Sequence, residues 1–111
     1  MRRKFIELPS FTRMVSSGEI SERMLRAIQN DIMQTEADTI AGTGGLKKIR
    51  SGGSGRGKRG GVRVVFADYP RQGSAVLITA YFKNVRENLT PQQCRALADL
   101  KARLDRQVGG F

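Results

Sequence analysis

Seven basic side chains lie close together in the middle of this chain, in a stretch that is also rich in glycine. The stretch covers residues 46–63, and no acidic residue occurs between Asp38 and Asp68. Dense positive charge on backbone that a ligand can approach closely favours a polyanion, and nucleic-acid phosphate is the first candidate. The seven side chains are Lys47, Lys48, Arg50, Arg56, Lys58, Arg59 and Arg63.

The charge of the whole chain has the same sign as this stretch. Its 111 residues carry 20 Lys and Arg against 10 Asp and Glu, a formal charge of +10. This length fits one domain, so we predict a single domain over residues 1–111. No apolar run approaches the roughly 20 residues of a membrane span or resembles a signal-peptide core. We therefore expect a cytoplasmic protein without a membrane partner.

The chain contains no histidine, and Cys94 is its single cysteine. Histidine is the commonest metal ligand and the usual general base near neutral pH. Its absence excludes a Ser-His-Asp or Cys-His hydrolase and argues against a zinc or haem site, so we expect no cofactor. A lone cysteine also fits a reducing compartment.

Two glycine motifs in the basic stretch resemble nucleotide-binding signatures. Residues 52–58 match G-x-x-x-x-G-K, but Arg59 lies where a P-loop has the Ser or Thr that binds magnesium. Gly55, Gly57 and Gly60 match G-x-G-x-x-G, yet a strand pattern follows where a dinucleotide site needs a helix. We interpret these glycines as flexible positions that permit close backbone approach.

The hydrophobic pattern predicts seven elements that position the basic side chains. Strands are predicted at residues 4–8, 46–50, 62–67 and 76–83, and helices at 10–15, 20–34 and 90–108. The order β-α-α-β-β-β-α indicates an α+β domain. Short connections between the last three strands predict an antiparallel meander sheet, with the helices on one face and cations on the other.

Capping residues mark the predicted helix starts. Ser10 and Ser21 are candidate N-caps, and Thr90 with Gln93 three residues later forms a capping box. The last helix has an apolar stripe at Leu97, Leu100, Leu104 and Val108.

Alternation along the strand at 46–50 places two cations side by side. Lys48 and Arg50 share one face, while Lys47 and Ile49 share the other. Two cations two residues apart on a strand can reach one phosphate.

Three segments, GTGGLKKIR, GRGKRGGVRVVF and ITAYFKNVRENLTPQQ, occur in this order and at these spacings. Together they resemble the HigB branch of the RelE-type toxins of bacterial toxin–antitoxin modules, over residues 5–104. The resemblance implies a compact RelE-like microbial ribonuclease fold and a metal-independent endoribonuclease that cuts mRNA in the ribosomal A site. It also implies a separate antitoxin, often with a helix-turn-helix domain, and promoter DNA bound only by the toxin–antitoxin complex.

The resemblance assigns roles to individual side chains. Arg50 and Arg63 would hold the scissile phosphate, while Lys48 or Lys83 acts as base or acid. Tyr81 is a base, a stacking platform for a nucleobase, or simply a strand aromatic packed on the core. Many RelE members have a tyrosine or histidine near the final helix, which this chain lacks at residues 88–91. The side chains predicted to bind RNA or the ribosome are Lys47, Arg56, Lys58, Arg59 and Arg86. For Lys47, Arg56 and Arg59, a solvated loop charge is the alternative.

Three function classes fit these observations. The favoured class is the ribosome-dependent endoribonuclease. A non-catalytic RNA-binding or ribosome-binding protein of the same fold is the alternative, because every cation named above would also serve phosphate binding alone. A DNA-binding module is disfavoured, since no helix shows a basic recognition face at helix-turn-helix spacing.

Overall fold

The computed structural model describes residues 3–51, 61–82 and 89–109, which form three α-helices and one five-stranded sheet. The strands are β1 (Lys4–Glu7), β2 (Asp38–Thr39), β3 (Lys47–Ser51), β4 (Val62–Tyr69) and β5 (Ser74–Phe82). The helices are α1 (Pro9–Ser16), α2 (Glu22–Gln34) and α3 (Pro91–Leu104), with a 3-10 turn at Pro70–Gln72 and a π-helical turn at Asp105–Gly109. In these ranges no helix is long and apolar enough to cross a membrane.

The sheet has the strand order β1-β5-β4-β3-β2. The predicted α+β class and the antiparallel meander of β3, β4 and β5 are confirmed. Two details differ from the prediction. β1 pairs with β5 in parallel. A parallel pair needs a long connection between its strands, and the chain from α1 to β4 provides it. A fifth strand, β2, pairs with β3 through only two residues.

The helices cover both faces of the sheet, so the prediction that they lie on one face is wrong. α1 and α2 pack on one face through a cluster that includes Phe11, Ile28 and Leu77. α3 packs on the other face, where Leu104 meets Val76. The physical reason lies in β4 and β5, which are interior strands buried on both sides and therefore carry continuous apolar runs instead of strict alternation.

Side-chain caps fix the starts of α2 and α3 as predicted. Ser21 Oγ accepts a hydrogen bond from the Met24 amide at 3.1 Å. Thr90 and Gln93 form the reciprocal capping box, with hydrogen bonds of 3.1 and 2.9 Å. Ser10, in contrast, does not cap α1, which begins at Pro9; its hydroxyl instead donates to the carbonyl of Ile78 and ties α1 to the sheet.

A tight loop between β2 and β3 determines where the basic strand begins. The buried Thr43 hydroxyl donates to the Ile40 carbonyl at 2.7 Å and accepts from the Leu46 amide at 3.2 Å. Gly44 follows with a φ of +76°, a conformation that L side chains rarely adopt. A Cβ there would lie 3.6 Å from Cγ of Lys101, so α3 packs directly on this loop.

A polar cluster fastens the end of α3 to β4. Tyr69 Oη and Lys101 Nζ both donate to Asp105 Oδ1 at 2.7 Å, and Lys101 Nζ lies 5.5 Å from the centre of the Tyr69 ring. Burial, together with the hydrogen bond to Asp105, raises the pKa of Tyr69. Burial alone would raise the pKa of Asp105, but the hydrogen bonds from Lys101 and Tyr69 outweigh it and lower that pKa.

Candidate nucleic-acid interface

Strand pairing brings four of the predicted catalytic residues onto one face of the sheet. Arg50 lies directly opposite Arg63, which lies directly opposite Tyr81, so these three form a row across β3, β4 and β5. Lys48 lies two residues before Arg50 and faces Val65 in the neighbouring row. The shared face is the one on which α3 packs, as the membership of Val65 in the α3 cluster shows. The cations therefore lie on the same side of the sheet as α3.

The described residues form an open pocket of about 400 Å³ around these cations. Lys48, Arg50 and Arg63 contribute to its lining from β3 and β4. The other lining residues come from the end of α2, from β2 and from β3: Thr35, Glu36, Asp38 and Ile49. An open pocket lined by three basic side chains suits a phosphate group that remains attached to a longer chain.

Arg63 presents an unsatisfied hydrogen-bond donor. Its side chain is half-buried, and Nη1 is buried without a hydrogen-bond partner in residues 3–51, 61–82 and 89–109. Buried donors of this kind are rare, because each leaves a desolvated polar group without compensation. Because Arg63 also lines the pocket, an anion bound there is a candidate partner for its guanidinium group.

Arg50 is held against the backbone at the start of β4. A Cβ built on Gly61 would lie 3.1 Å from Nε of Arg50 and 3.7 Å from its Cγ. The φ of Gly61 is not positive, so its backbone would accept other residues. The missing side chain of Gly61 leaves room for the Arg50 side chain next to the start of β4.

Tyr81 and Lys47 do not line the pocket. The Tyr81 ring is half-buried and packs on the α3 cluster, so its packing role is evident, while its position opposite Arg63 keeps it near the cations. Lys47 lies opposite Phe66, whose side chain belongs to the cluster under α1 and α2. The structure therefore places Lys47 on the other face from Lys48, as the strand alternation predicted.

Five predicted site residues fall outside the described ranges. They are Lys83 in the catalytic set and Arg56, Lys58, Arg59 and Arg86 in the binding set. Their roles stay predictions from the sequence.

The sequence did not point to the two acidic residues that line the pocket, Glu36 and Asp38. In the sequence they precede the basic stretch and are separated from it by a glycine loop. The loop turns β2 back beside β3, which places Asp38 directly opposite Lys48. A strand of two residues is too short to show a hydrophobic alternation, so the sequence pattern did not predict β2.

The chemical capacity of the pocket follows from its side chains. Three cations can neutralise a phosphate and stabilise the extra charge of a phosphorane, and carboxylates or a lysine can move protons. Within the described ranges, no group of three or more Cys, Asp or Glu side chains is placed to hold a metal ion.

The model of the family described as RelE toxin of the RelE / RelB toxin-antitoxin system matches residues 4–108. The match extends from β1 to the turn after α3 and includes every element that forms the pocket.

Proposed function

This chain belongs to the RelE toxin family and is the toxin of a toxin–antitoxin system, and on that premise we propose that it is an endoribonuclease that cuts mRNA in the ribosomal A site. Cleavage of mRNA during translation would stop protein synthesis, and a cognate antitoxin would hold the activity in check. The HigB branch stays a prediction from the three sequence segments.

The observation that carries the proposal is the grouping of Lys48, Arg50 and Arg63 in one pocket, with a buried Arg63 nitrogen that has no partner among the described residues. A group of basic side chains that includes an unpaired buried donor favours an anion as its ligand. The two guanidinium groups would hold the scissile phosphate, each able to donate two parallel hydrogen bonds.

The chemistry would be attack by the 2′-oxygen on the adjacent phosphorus. The new O2′–P bond forms as the P–O5′ bond breaks, which leaves a 2′,3′-cyclic phosphate and a free 5′-hydroxyl. Arg50 and Arg63 stabilise the charge that develops on the phosphorane oxygens. Lys48, or Lys83 from beyond the described residues, donates the proton to the departing 5′-oxygen. No step in this scheme needs a metal ion.

We expect cleavage to depend on the ribosome, because the isolated protein does not fix the mRNA backbone in one conformation. Histidine is absent, and a cationic pocket alone favours binding more than turnover. The ribosome would supply the missing element by fixing the mRNA backbone in the conformation from which the 2′-oxygen attacks in line. The basic side chains of residues 52–60 would contact ribosomal RNA phosphates.

We also propose binding partners for this toxin. We expect the antitoxin to be a separate protein with a helix-turn-helix domain, and promoter DNA to be bound only by the complex. The alternative is a non-catalytic RNA-binding or ribosome-binding protein of the same fold.

A translating cell extract tests the proposal. Purified protein is added to the extract and, in parallel, to the same mRNA without ribosomes, and the new RNA ends are mapped. We expect cuts within the A-site codon in the extract and very slow cleavage of free mRNA. Equal cleavage of free mRNA would refute ribosome dependence, and ribosome binding without any cut would support the non-catalytic alternative.

A further inference from the structure

We propose that Asp38 is the general base of this site, the group that takes the proton from the attacking 2′-hydroxyl. This inference rests on the proposed function and assigns a step that the cations by themselves leave open. Three observations support it: the register of β2 against β3, the absence of a competing partner for the carboxylate among the described residues, and the composition of the pocket.

The register places the Asp38 side chain among the cations. Asp38 and Lys48 are directly opposite partners in the antiparallel β2–β3 pair, so their side chains leave the sheet on the same face. Opposite partners have Cβ atoms about 4.5 to 5.5 Å apart. Asp38, Lys48, Arg50 and Arg63 all line the same pocket. A phosphate held by the two arginines would therefore have a carboxylate beside it.

The Asp38 carboxylate is not committed to another group in the described part of the chain. Two other aspartates among the described residues do form ion pairs: Asp68 with Arg3 at 2.8 Å, and Asp105 with Lys101 at 2.7 Å. Asp38 has no ion pair within 4.0 Å among the described residues, although Lys48 lies opposite it, and its side chain is exposed. It is accessible to a substrate hydroxyl.

The chemistry favours a carboxylate over a lysine as the proton acceptor. A carboxylate accepts a proton directly, whereas a lysine must first lose a proton of its ammonium group. In the balanced step, the 2′-hydroxyl proton moves to the Asp38 carboxylate as O2′ bonds to phosphorus. The P–O5′ bond then breaks, and a protonated lysine of the pocket gives its proton to O5′. This assignment leaves Lys48 as an acid and Asp38 as the base.

The second acidic lining residue, Glu36, provides a matched comparison. It lines the same pocket but precedes β2, so no strand pairing fixes its side chain opposite a cation. Asp38→Asn and Glu36→Gln remove the same charge from the same pocket with little change in volume. If the carboxylates act only through the electrostatic field of the pocket, the two variants behave alike. If Asp38 is the base, they do not.

The experiment measures two quantities for each variant: affinity for the mRNA-programmed ribosome and single-turnover cleavage rate at saturating protein. We expect Asp38→Asn to bind as tightly as the wild type or more tightly, because the pocket loses a negative charge. Its cleavage rate should fall by about 10²-fold or more, the usual contribution of a general base. The fall should exceed that of Glu36→Gln at least tenfold. Asp99→Asn, an exposed change on α3 outside the pocket, is the control for the substitution itself.

Chemical rescue gives a readout that a structural role would not produce. In Asp38→Ala, added formate should restore part of the cleavage rate in proportion to its concentration, and chloride at the same ionic strength should not. If Asp38→Asn does not fold, Asp38→Ser and Asp38→Glu are compared instead, and activity in the glutamate variant alone supports the proposal. Equal losses in Asp38→Asn and Glu36→Gln, a wild-type rate in Asp38→Asn, or activity in Asp38→Ser would overturn it. A wild-type protein that never cuts ribosome-bound mRNA would refute the proposed function and this role together.

Discussion

Arg50 on β3 and Arg63 on β4 are directly opposite each other in an antiparallel strand pair. Like charges in this position destabilise a sheet, by up to about 1 kcal/mol. The buried Nη1 nitrogen of Arg63, which has no partner in the described part of the chain, adds a second cost. We infer that the unpaired donor of Arg63 costs the free protein stability, and that an anion bound in the pocket offsets part of this cost.

The first prediction concerns the stability of the free protein. Arg63→Met keeps an unbranched apolar stem but removes the charge and the unsatisfied donor, so the free energy of unfolding should rise by about 1 kcal/mol. Urea denaturation in a buffer without phosphate measures it. Arg71→Met, at an exposed position in the 3-10 turn, should change stability by less than about 0.5 kcal/mol. A clear loss of stability in Arg63→Met would show that Arg63 is mainly a structural residue.

The second prediction concerns the position of Arg50. Gly61→Ala should leave the fold intact, since the φ of Gly61 is not positive, but its Cβ would lie 3.1 Å from Nε of Arg50 and push the guanidinium aside. We expect the cleavage rate to fall about tenfold, because a displacement of 1 Å can cost about 10²-fold and this one is smaller.

Two further variants test whether the effect of Gly61→Ala passes through Arg50. In an Arg50→Ala background, Gly61→Ala should cause no further loss, as expected for a side chain that acts only on its neighbour. Gly18→Ala introduces strain at a φ of +89° with nothing within 4 Å of the new Cβ. It should lower stability by about 1 kcal/mol and leave the cleavage rate unchanged. Similar losses of rate in the two glycine variants would contradict the prediction.

The third prediction is a pH dependence of stability that originates at Tyr69. Burial and the hydrogen bond to Asp105 raise the pKa of Tyr69 above its ordinary value of 10.0. The folded state therefore favours the protonated phenol, so the stabilisation is complete below pH 10 and is lost as the pH rises above it. Tyr69→Phe should cost about 1 to 2 kcal/mol at neutral pH, and its deficit relative to the wild type should shrink above pH 10.

Denaturation curves between pH 7 and pH 11 measure this effect. Tyr81→Phe is the matched control, because Tyr81 lies at the opposite end of the β4–β5 pair from Tyr69. A constant deficit of Tyr69→Phe across the whole pH range would mean that the Tyr69 hydroxyl titrates no differently in the folded and unfolded chains.

The fourth prediction concerns the glycine-rich basic stretch. Replacing Arg56, Lys58 and Arg59 together with Gln should weaken ribosome binding and reduce its salt dependence, by about 0.7 in log–log slope for each phosphate that the protein no longer neutralises. The control replaces three exposed arginines on α2 and α3, namely Arg23, Arg26 and Arg103. If both triple variants bind the ribosome equally weakly, the stretch contributes only net charge.

Part of the fold was predictable from local patterns. The capping box at Thr90 and the alternation of Lys48 and Arg50 against Ile49 depend on neighbouring residues, and both are present in the structure. Both features are predictable because a helix cap or a strand face depends only on residues a few positions apart in the chain.

Long-range features of the fold were not predictable in this way. The parallel pairing of β1 with β5 joins residues about 70 positions apart, and no local pattern encodes it. Val64 and Val65 in β4 face opposite sides of the sheet, yet both are apolar. This run was compatible with helices on one face or on both, and the placement of α3 on the second face depends on tertiary packing.

The sequence analysis named the three basic residues that line the pocket but not its two acidic residues, Glu36 and Asp38. The charge pattern included Lys48, Arg50 and Arg63 among seven basic residues, and the resemblance to the toxin family assigned their roles, which stay predictions. Asp38 lies outside the basic stretch in the sequence and enters the pocket only through the β2–β3 pairing. A two-residue strand formed by a glycine turn has too few residues to show a pattern.

The rate at which Arg63 variants cut ribosome-bound mRNA tests the central claim, that the Lys48, Arg50 and Arg63 pocket is where the RNA is cut. Single-turnover cleavage is measured for the wild type, Arg63→Lys and Arg63→Ala, each shown to be folded and to bind the antitoxin. We predict that Arg63→Ala cuts about 10² to 10³ times more slowly, the usual effect of removing one hydrogen-bond donor to the transition state. Arg63→Lys should recover only a small part of the rate, because it keeps the charge but cannot donate the two parallel hydrogen bonds. A folded Arg63→Ala protein that cuts within a few-fold of the wild-type rate would contradict the claim.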